Sequence, residues 1–214
     1  MESISFLSVL PQVFAAECEF SSELWCKDVI FSKGECTLVQ AASGTGKSTL
    51  CSYITGFRHD YSGRILFDAS DISSFSHAKW TAIRRSEVSL LFQELRLFPE
   101  LTAMENVEIK NRLTGYLSRS RIEEMFDMLG IADKLDARIG QMSFGQQQRV
   151  GMIRALAQPF DFILLDEPVS HLDESNSATM ASLLLEEARR QGAGIIATSI
   201  GKHMSLPYNR VLKL

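Results

Sequence analysis

Ala41-Ala42-Ser43-Gly44-Thr45-Gly46-Lys47-Ser48-Thr49 is the stretch that decides the fold. It follows an apolar, strand-like run, Cys36 to Gln40, and opens a helical pattern that continues to about Ile54 and stops near Gly56. Gly44 and Gly46 let the backbone turn so that successive N–H groups face inward, as a phosphate cradle requires. The positive end of the helix beginning near Lys47 adds to that field. The Lys47 ammonium can reach the β- and γ-phosphates of a nucleoside triphosphate, and the Ser48 hydroxyl suits Mg²⁺. Ser43, Thr45 and Thr49 complete the loop residues expected around the nucleotide. One departure stands out: the pattern GxxxxGK[ST] begins with Ala41 instead of glycine, which is tolerable if φ there is negative.

Upstream of this loop, Ile4 to Leu10, Asp28 to Phe31 and Cys36 to Gln40 read as short strands, with a turn at Lys33-Gly34-Glu35. Downstream, Arg64 to Phe67 and Val88 to Phe92 read as further strands. The texture then turns helical from Glu100 to about Ile139. Ser120 and Glu123 match a capping box, and Ile122, Met125, Phe126 and Leu129 follow at helical spacing before Gly130. A helix carrying Val150, Ile153 and Ala157 on one face is closed by Pro159. Phe162 to Leu165 is a buried parallel strand by composition. A long helix from Glu174 to Arg190 precedes Gly192, and Gly194 to Thr198 is the last core strand expected.

The strand Phe162 to Leu165 ends in two carboxylates, Asp166 and Glu167. Beside a phosphate loop, Asp166 suits the Mg²⁺ shell, and Glu167 suits the acceptance of a proton from an attacking water. Without that loop the pair would read as a solvated acidic turn. The chain has 214 residues, enough for one α/β core with a small appended lobe, and its apolar content is 45%. Its formal net charge of −4 argues against broad nucleic-acid binding. Cys18, Cys26, Cys36 and Cys51 form no CxxC pair and read as reduced thiols. No signal peptide and no run long enough to span a bilayer is expected, so any action at a membrane would pass through a partner.

Met142-Ser143-Phe144-Gly145-Gln146-Gln147-Gln148-Arg149 resembles the LSGGQ-x-QR signature of ATP-binding cassette (ABC) ATPases. Gln93, in Leu91-Phe92-Gln93, is similar to the family's Q-loop glutamine, and Ser170-His171-Leu172-Asp173 is similar to its D-loop. The resemblance implies an α/β fold with a P-loop NTPase core, mostly parallel, with helices on both faces. It also implies an N-terminal antiparallel β region and an inserted α-helical subdomain. A single nucleotide-binding domain over 1–214 then divides into a core of 1–94 and 141–214 and a helical subdomain of 95–140.

The resemblance further implies ATP and Mg²⁺ as cofactors and hydrolysis within a head-to-tail dimer. Each ATP would lie between one chain's phosphate loop and the partner's Ser143, Gly145 and Gln146. Gln93 would contact Mg²⁺ or water, with Ser48 and Asp166 as the other metal-side residues. Phe144, in place of the first signature glycine, must turn away from the nucleotide. Phe14 matches the aromatic that stacks on adenine, with Phe20 as competitor. Leu95 to Leu101 falls where the family receives a helix from a membrane subunit, although the core of the lobe claims some of these side chains.

At the family's switch histidine this chain has Ser199, whose hydroxyl is short and uncharged, so weakened transition-state stabilisation and slow hydrolysis are expected. His203 is the alternative at that position. The expected partners are a second ABC ATPase subunit and a transmembrane permease-type subunit. The expected location is cytoplasmic, peripheral on the inner face of the cell membrane. Phe98 to Val107 and the compact length are similar to the lipoprotein-release, macrolide-efflux and cell-division group. A catalytically weak regulatory subunit and a soluble ABC ATPase are the alternative readings.

Overall fold

The computed structural model describes residues 1–15, 21–169 and 174–214. Two sheets meet around the helix that follows the phosphate loop. The first is antiparallel, in the order β2 (Asp28–Ser32), β1 (Ser3–Pro11), β4 (Tyr61–Phe67), β5 (Ser70–Asp71). The second is parallel, in the order β6 (Val88–Leu91), β7 (Phe162–Asp166), β8 (Gly194–Ser199), β3 (Cys36–Gln40), β9 (Arg210–Lys213). The helices are α1 (Lys47–Ile54), α2 (His77–Ser86), α3 (Ala103–Asn111), α4 (Arg119–Met128), α5 (Phe144–Leu156) and α6 (Glu174–Gln191).

The central strands β7, β8 and β3 of the parallel sheet carry buried apolar residues on both faces, and their period of two sorts these between two cores. Leu38, Ile163, Leu165, Ile195 and Ala197 face the helices α3 to α6. Val39, Phe162, Leu164 and Ile196 face the other way, onto α1, α2 and the antiparallel sheet. The first core is continuous: Met104, Val107, Ile122, Met125 and Phe126 of α3 and α4 pack in one cluster with Val150 and Ile153 of α5. The helical stretch within 95–140 is thus seated on the parallel sheet's own core.

Four expectations are corrected. The helix α2 was not expected; only Trp80 and Ile83 of it are buried, too few apolar positions to announce a period. The strand β9 extends the sheet beyond Gly194 to Ser199, pairing with β3 through Thr37 to Gln40. The capping box expected at Ser120 and Glu123 is not formed, because Ser118 caps α4 by accepting from Arg121 N at 3.2 Å. Starting there places buried Leu117 before the cap and buried Ile122 four positions after it, a hydrophobic staple. Capping boxes form instead at Thr102 with Glu105 and at Ser143 with Gln146. Finally, Ala157 lies just past α5 as its C-cap.

Across the junction of α4 and α6, Glu187 is fully buried between two cations. Arg121 Nη2 donates to its Oε1 at 2.7 Å and Arg190 Nη2 to its Oε2 at 2.5 Å. With two cations on one buried carboxylate, the loss of either leaves the other to compensate the charge.

Candidate functional site

The phosphate loop spans the carboxyl end of β3 and the start of α1. Gly44 and Gly46 sit at φ of 83° and 102°, conformations that other residues rarely adopt. At Gly46 space is also closed: a Cβ would lie 3.1 Å from the Phe14 ring and 3.1 Å from Trp25 Nε1. Trp25 Nε1 donates to the Thr45 carbonyl at 3.2 Å, and Thr45 Oγ1 and Lys47 Nζ both donate to the Ala42 carbonyl, at 2.9 and 2.8 Å. The loop is therefore braced from outside and cross-linked within. Ala41 lies outside the positive-φ region, so the missing first glycine costs the turn nothing.

Beside the loop stand the two acids at the end of β7. Successive strand residues point to opposite faces, so a regular strand would send Asp166 and Glu167 apart. The chain breaks that alternation at Glu167, whose φ is 50°. A non-glycine residue held there costs on the order of 1–3 kcal/mol, and such strain collects at functional sites. The Glu167 N–H donates to Thr198 Oγ1 at 3.2 Å, and Thr198 Oγ1 donates to Asp166 Oδ1 at 2.8 Å. One buried hydroxyl on β8 thereby fixes both acids. Glu167 Oε1 lies 3.6 Å from Lys47 Nζ, and its Oε2 lies 3.4 Å from Gln93 Nε2.

These groups line two adjoining cavities. One, of about 320 Å³, is bounded by Ser43, Gly44, Gly46, Lys47, Ser48 and Thr49 of the loop, with Gln93 and Glu167 across from them. The other, of about 160 Å³, holds the Ser48, Gln93 and Asp166 side chains together. A hydroxyl, an amide oxygen and a carboxylate are hard donors that fit Mg²⁺ when substrate phosphates supply the remaining ligands. Buried Cys51 also borders this cavity. Burial, reinforced by the Asp166 carboxylate, holds its thiol well above the usual range, so it stays neutral and unreactive.

Not every expected residue joins the cavities. Ser199 ends β8 only 1% exposed, and its Oγ donates to the Lys202 carbonyl at 2.6 Å. The neighbouring Ile200, 45% exposed, lines the larger cavity instead. At this end of β8 the side chain that borders the cavity is therefore Ile200, while the Ser199 hydroxyl is bound to the Lys202 carbonyl. His203 is exposed, with Nδ1 against the Gly201 carbonyl at 3.2 Å and its ring against Tyr208, and it does not replace it. Phe14 borders the cavity but is 7% exposed and packs in the core with Trp25, while adjacent Val13 is 63% exposed. The competing Phe20 and the segment 170–173 lie outside the described residues.

Ser143, Gly145 and Gln146 lie at the start of α5, away from both cavities of this chain. Ser143 Oγ accepts from Gln146 N at 3.3 Å and Gln146 Oε1 accepts from Ser143 N at 2.9 Å. Phe144 stands 43% exposed. After Gln93 the stretch divides: Leu95 is buried, Leu97 packs on the core from its edge, and Phe98 is exposed. Asn106, fully buried, anchors that turn by accepting from Phe98 N at 2.8 Å and donating to the Phe98 carbonyl at 3.1 Å.

Trp25, Thr198, Val13, Arg58 and Ile200 bear on the site without having been expected there. For Thr198 a signal existed, since a threonine ending a buried strand beside paired acids has one obvious use for its hydroxyl. The others depend on loop paths that no local pattern reports.

A parallel sheet with a glycine-rich anion cradle at the carboxyl end of one strand, and paired acids at the end of another, defines a P-loop nucleotide-binding domain. The profile of the ABC transporter family matches residues 28–170. A lipoprotein-releasing system ATP-binding protein, LolD, of Novosphingobium aromaticivorans is 33% identical over 85% of this chain and 82% of its own length. The chain belongs to the ABC transporter family.

An uncharacterised ABC transporter ATP-binding protein of Mycobacterium tuberculosis is 36% identical over 85% of this chain and 56% of its own length. The chain thus spans about half the length of that relative. A solved structure described as a dimeric bacterial ABC transporter cassette, MJ0796, superposes with a TM-score of 0.78 at 28% identity, over 92% of this chain and 87% of that one. No helix among the described residues is long and apolar enough to cross a membrane.

Proposed function

We propose that this chain is the ATP-binding and hydrolysing subunit of a membrane ABC transporter or mechanotransmission complex. It acts as a head-to-tail pair around two ATP molecules and drives a transmembrane partner from the cytoplasmic side. The observation that carries this reading is the meeting of Lys47, Gln93 and Glu167 at one cradle, with Ser48 and Asp166 beside it. The dimeric MJ0796 cassette and a second MJ0796 structure described as a post-hydrolysis state bound to ADP and Pi support the pairing and the reaction.

In the proposed reaction the loop N–H groups and Lys47 bind the phosphates, and Glu167 accepts a proton from the attacking water while the Gln93 amide orients its carboxylate. Ser48 and Asp166, with Gln93, would hold Mg²⁺, which when bound neutralises charge on the phosphate oxygens. Ser143 and the Gly145 N–H of a partner chain would close over the γ-phosphate from the other side. The similarity to LolD, and to the macrolide export protein MacB of Bartonella henselae at 31% identity, favours the group that works on periplasm-facing machinery. Purification from a detergent extract of the native host tests this: a stoichiometric membrane protein is expected to accompany the chain, and its absence would favour a soluble ABC ATPase.

A second reading, an ATP-binding subunit with weak catalysis, is favoured by one observation. At Ser199, where the resemblance places a histidine, the hydroxyl is committed to the Lys202 carbonyl, and it is Ile200 that lines the cavity. ATP binding at micromolar concentrations with turnover well below one per second would support it.

A further inference from the structure

The larger cavity contains a second cation that the phosphate loop does not account for. Arg58 lies two residues beyond Gly56, on the connection from α1 to β4, and lines the cavity together with Lys47 and Thr49. Its guanidinium is held on one edge by Asp60: Nε donates to Oδ1 at 2.9 Å and Nη2 donates to Oδ2. Nη1 donates to Thr49 Oγ1 at 3.2 Å, and the group lies 5.9 Å over the Tyr53 ring. A guanidinium carries five N–H donors. Those three bonds leave one N–H on Nη1 and one on Nη2 to donate to phosphate oxygens.

Its position along the cavity follows from its neighbours. Lys47 and Gln93 both reach Glu167, and together they define the end where the terminal phosphate reacts. Arg58 bonds instead to Thr49, which is one residue past Ser48 in α1. Ser48 and Gln93 line both cavities, whereas Arg58 borders the larger cavity, with Val13 and Phe14, and does not border that of Asp166. We infer that Arg58, braced by Asp60, is a second phosphate-recognition residue, contacting the phosphate nearest the sugar of a bound nucleoside triphosphate. Because the Asp60 fork already orders the side chain, little rotamer entropy remains to be lost on binding.

This inference rests on the nucleotide-binding reading, and the test separates the two. Dissociation constants for ATP and ADP are measured by calorimetry on the parent and on Arg58→Gln, Arg58→Lys and Asp60→Asn, with melting temperatures recorded without nucleotide. Arg58→Gln is expected to weaken ATP and ADP about tenfold each, because both share the phosphate nearest the sugar. Arg58→Lys keeps the charge without the fork and is expected to fall between that variant and the parent. Asp60→Asn is expected to weaken both nucleotides about threefold by loosening the brace.

Unchanged affinity in both Arg58 variants, with a lowered melting temperature, would make Arg58 a loop staple and overturn the inference. A loss confined to ATP would place it at the terminal phosphate and overturn its assigned position. Failure of the parent itself to bind ATP would overturn the nucleotide reading, and this inference with it.

Discussion

The loop around Lys47 and the turn around Ser143 each begin a helix, yet they treat the first turn in opposite ways. At α1 the N-cap is Gly46, in the left-handed region, with no side-chain hydrogen bond to the helix start. At α5 the N-cap is Ser143, and a reciprocal capping box with Gln146 satisfies both backbone donors. A helix start without a side-chain cap leaves its N–H groups and dipole open to an external acceptor, and at α1 these sit in the glycine-rich cradle with Lys47. A self-capped start is stable by itself and has no need of a ligand. Under the proposed function the first would be the primary phosphate site, and the second, whose box leaves the Gly145 N–H outside it, would meet an anion that a partner chain brings. That division is the one expected of a site shared between two chains.

Glu167→Gln should break the chemistry on the Lys47 side with the largest effect. Turnover should fall by roughly 10²–10⁴-fold, the usual contribution of general-base catalysis, while ATP affinity holds and an ATP-bound dimer accumulates. Phosphate release and size-exclusion chromatography in saturating Mg-ATP check this, and a chain that remained monomeric would point to a heterodimer.

Ser143→Arg should strike the other side. ATP binding by the isolated chain should be unchanged, but turnover should fall about 100-fold, the scale of losing one donor to developing charge. The same change removes a helix cap and should lower stability by about 1 kcal/mol, read from urea unfolding.

A smaller effect sharpens the comparison within the Lys47 side. Ile200→His should raise turnover about tenfold by placing a hydrogen-bonding group where the cavity is apolar. Ser199→His should give no gain, because that side chain points to Lys202. Acceleration by Ser199→His alone would restore Ser199 as the switch position.

The smallest effect concerns stability away from both halves. Burial, reinforced by the charges of Arg154 and Arg84, lowers the Lys110 ammonium from 10.5 to about 8. Its folded value lies below its unfolded value, so the unfolded state binds more protons between about pH 8 and 10.5, and stability rises with pH there. Lys110→Met should therefore melt a few degrees above the parent at pH 7, with the gap closing by pH 10.

Much of this was legible along the chain. Gly44 and Gly46 announced their own backbone conformations, and four apolar residues before Asp166 announced a strand buried on both faces. Legibility failed where a residue's meaning depends on distant packing. Whether Ser199 or Ile200 faces the cavity depends on how β8 ends, and a pattern match fixes only the position. Ser118 rather than Ser120 caps α4 because Leu117 has a core to enter. Asp166 and Glu167 can serve adjoining cavities only because Glu167 leaves strand geometry, a strain no composition reports. Arg58 and Asp60 read as two charges in a turn until the fold sets them beside Thr49.

The shared site itself is tested most directly by mixing two inactive chains. Lys47→Ala should remove phosphate binding, and Ser143→Arg should remove the contact offered to a partner, so each alone should be nearly without ATPase activity. In a mixed dimer one site carries both lesions and the other carries neither. Equal amounts combined should recover about a quarter of the parent rate, from half the dimers carrying one intact site each. No recovery, with both variants folded and the Ser143→Arg chain still binding ATP, would contradict a site composed of two copies of this chain.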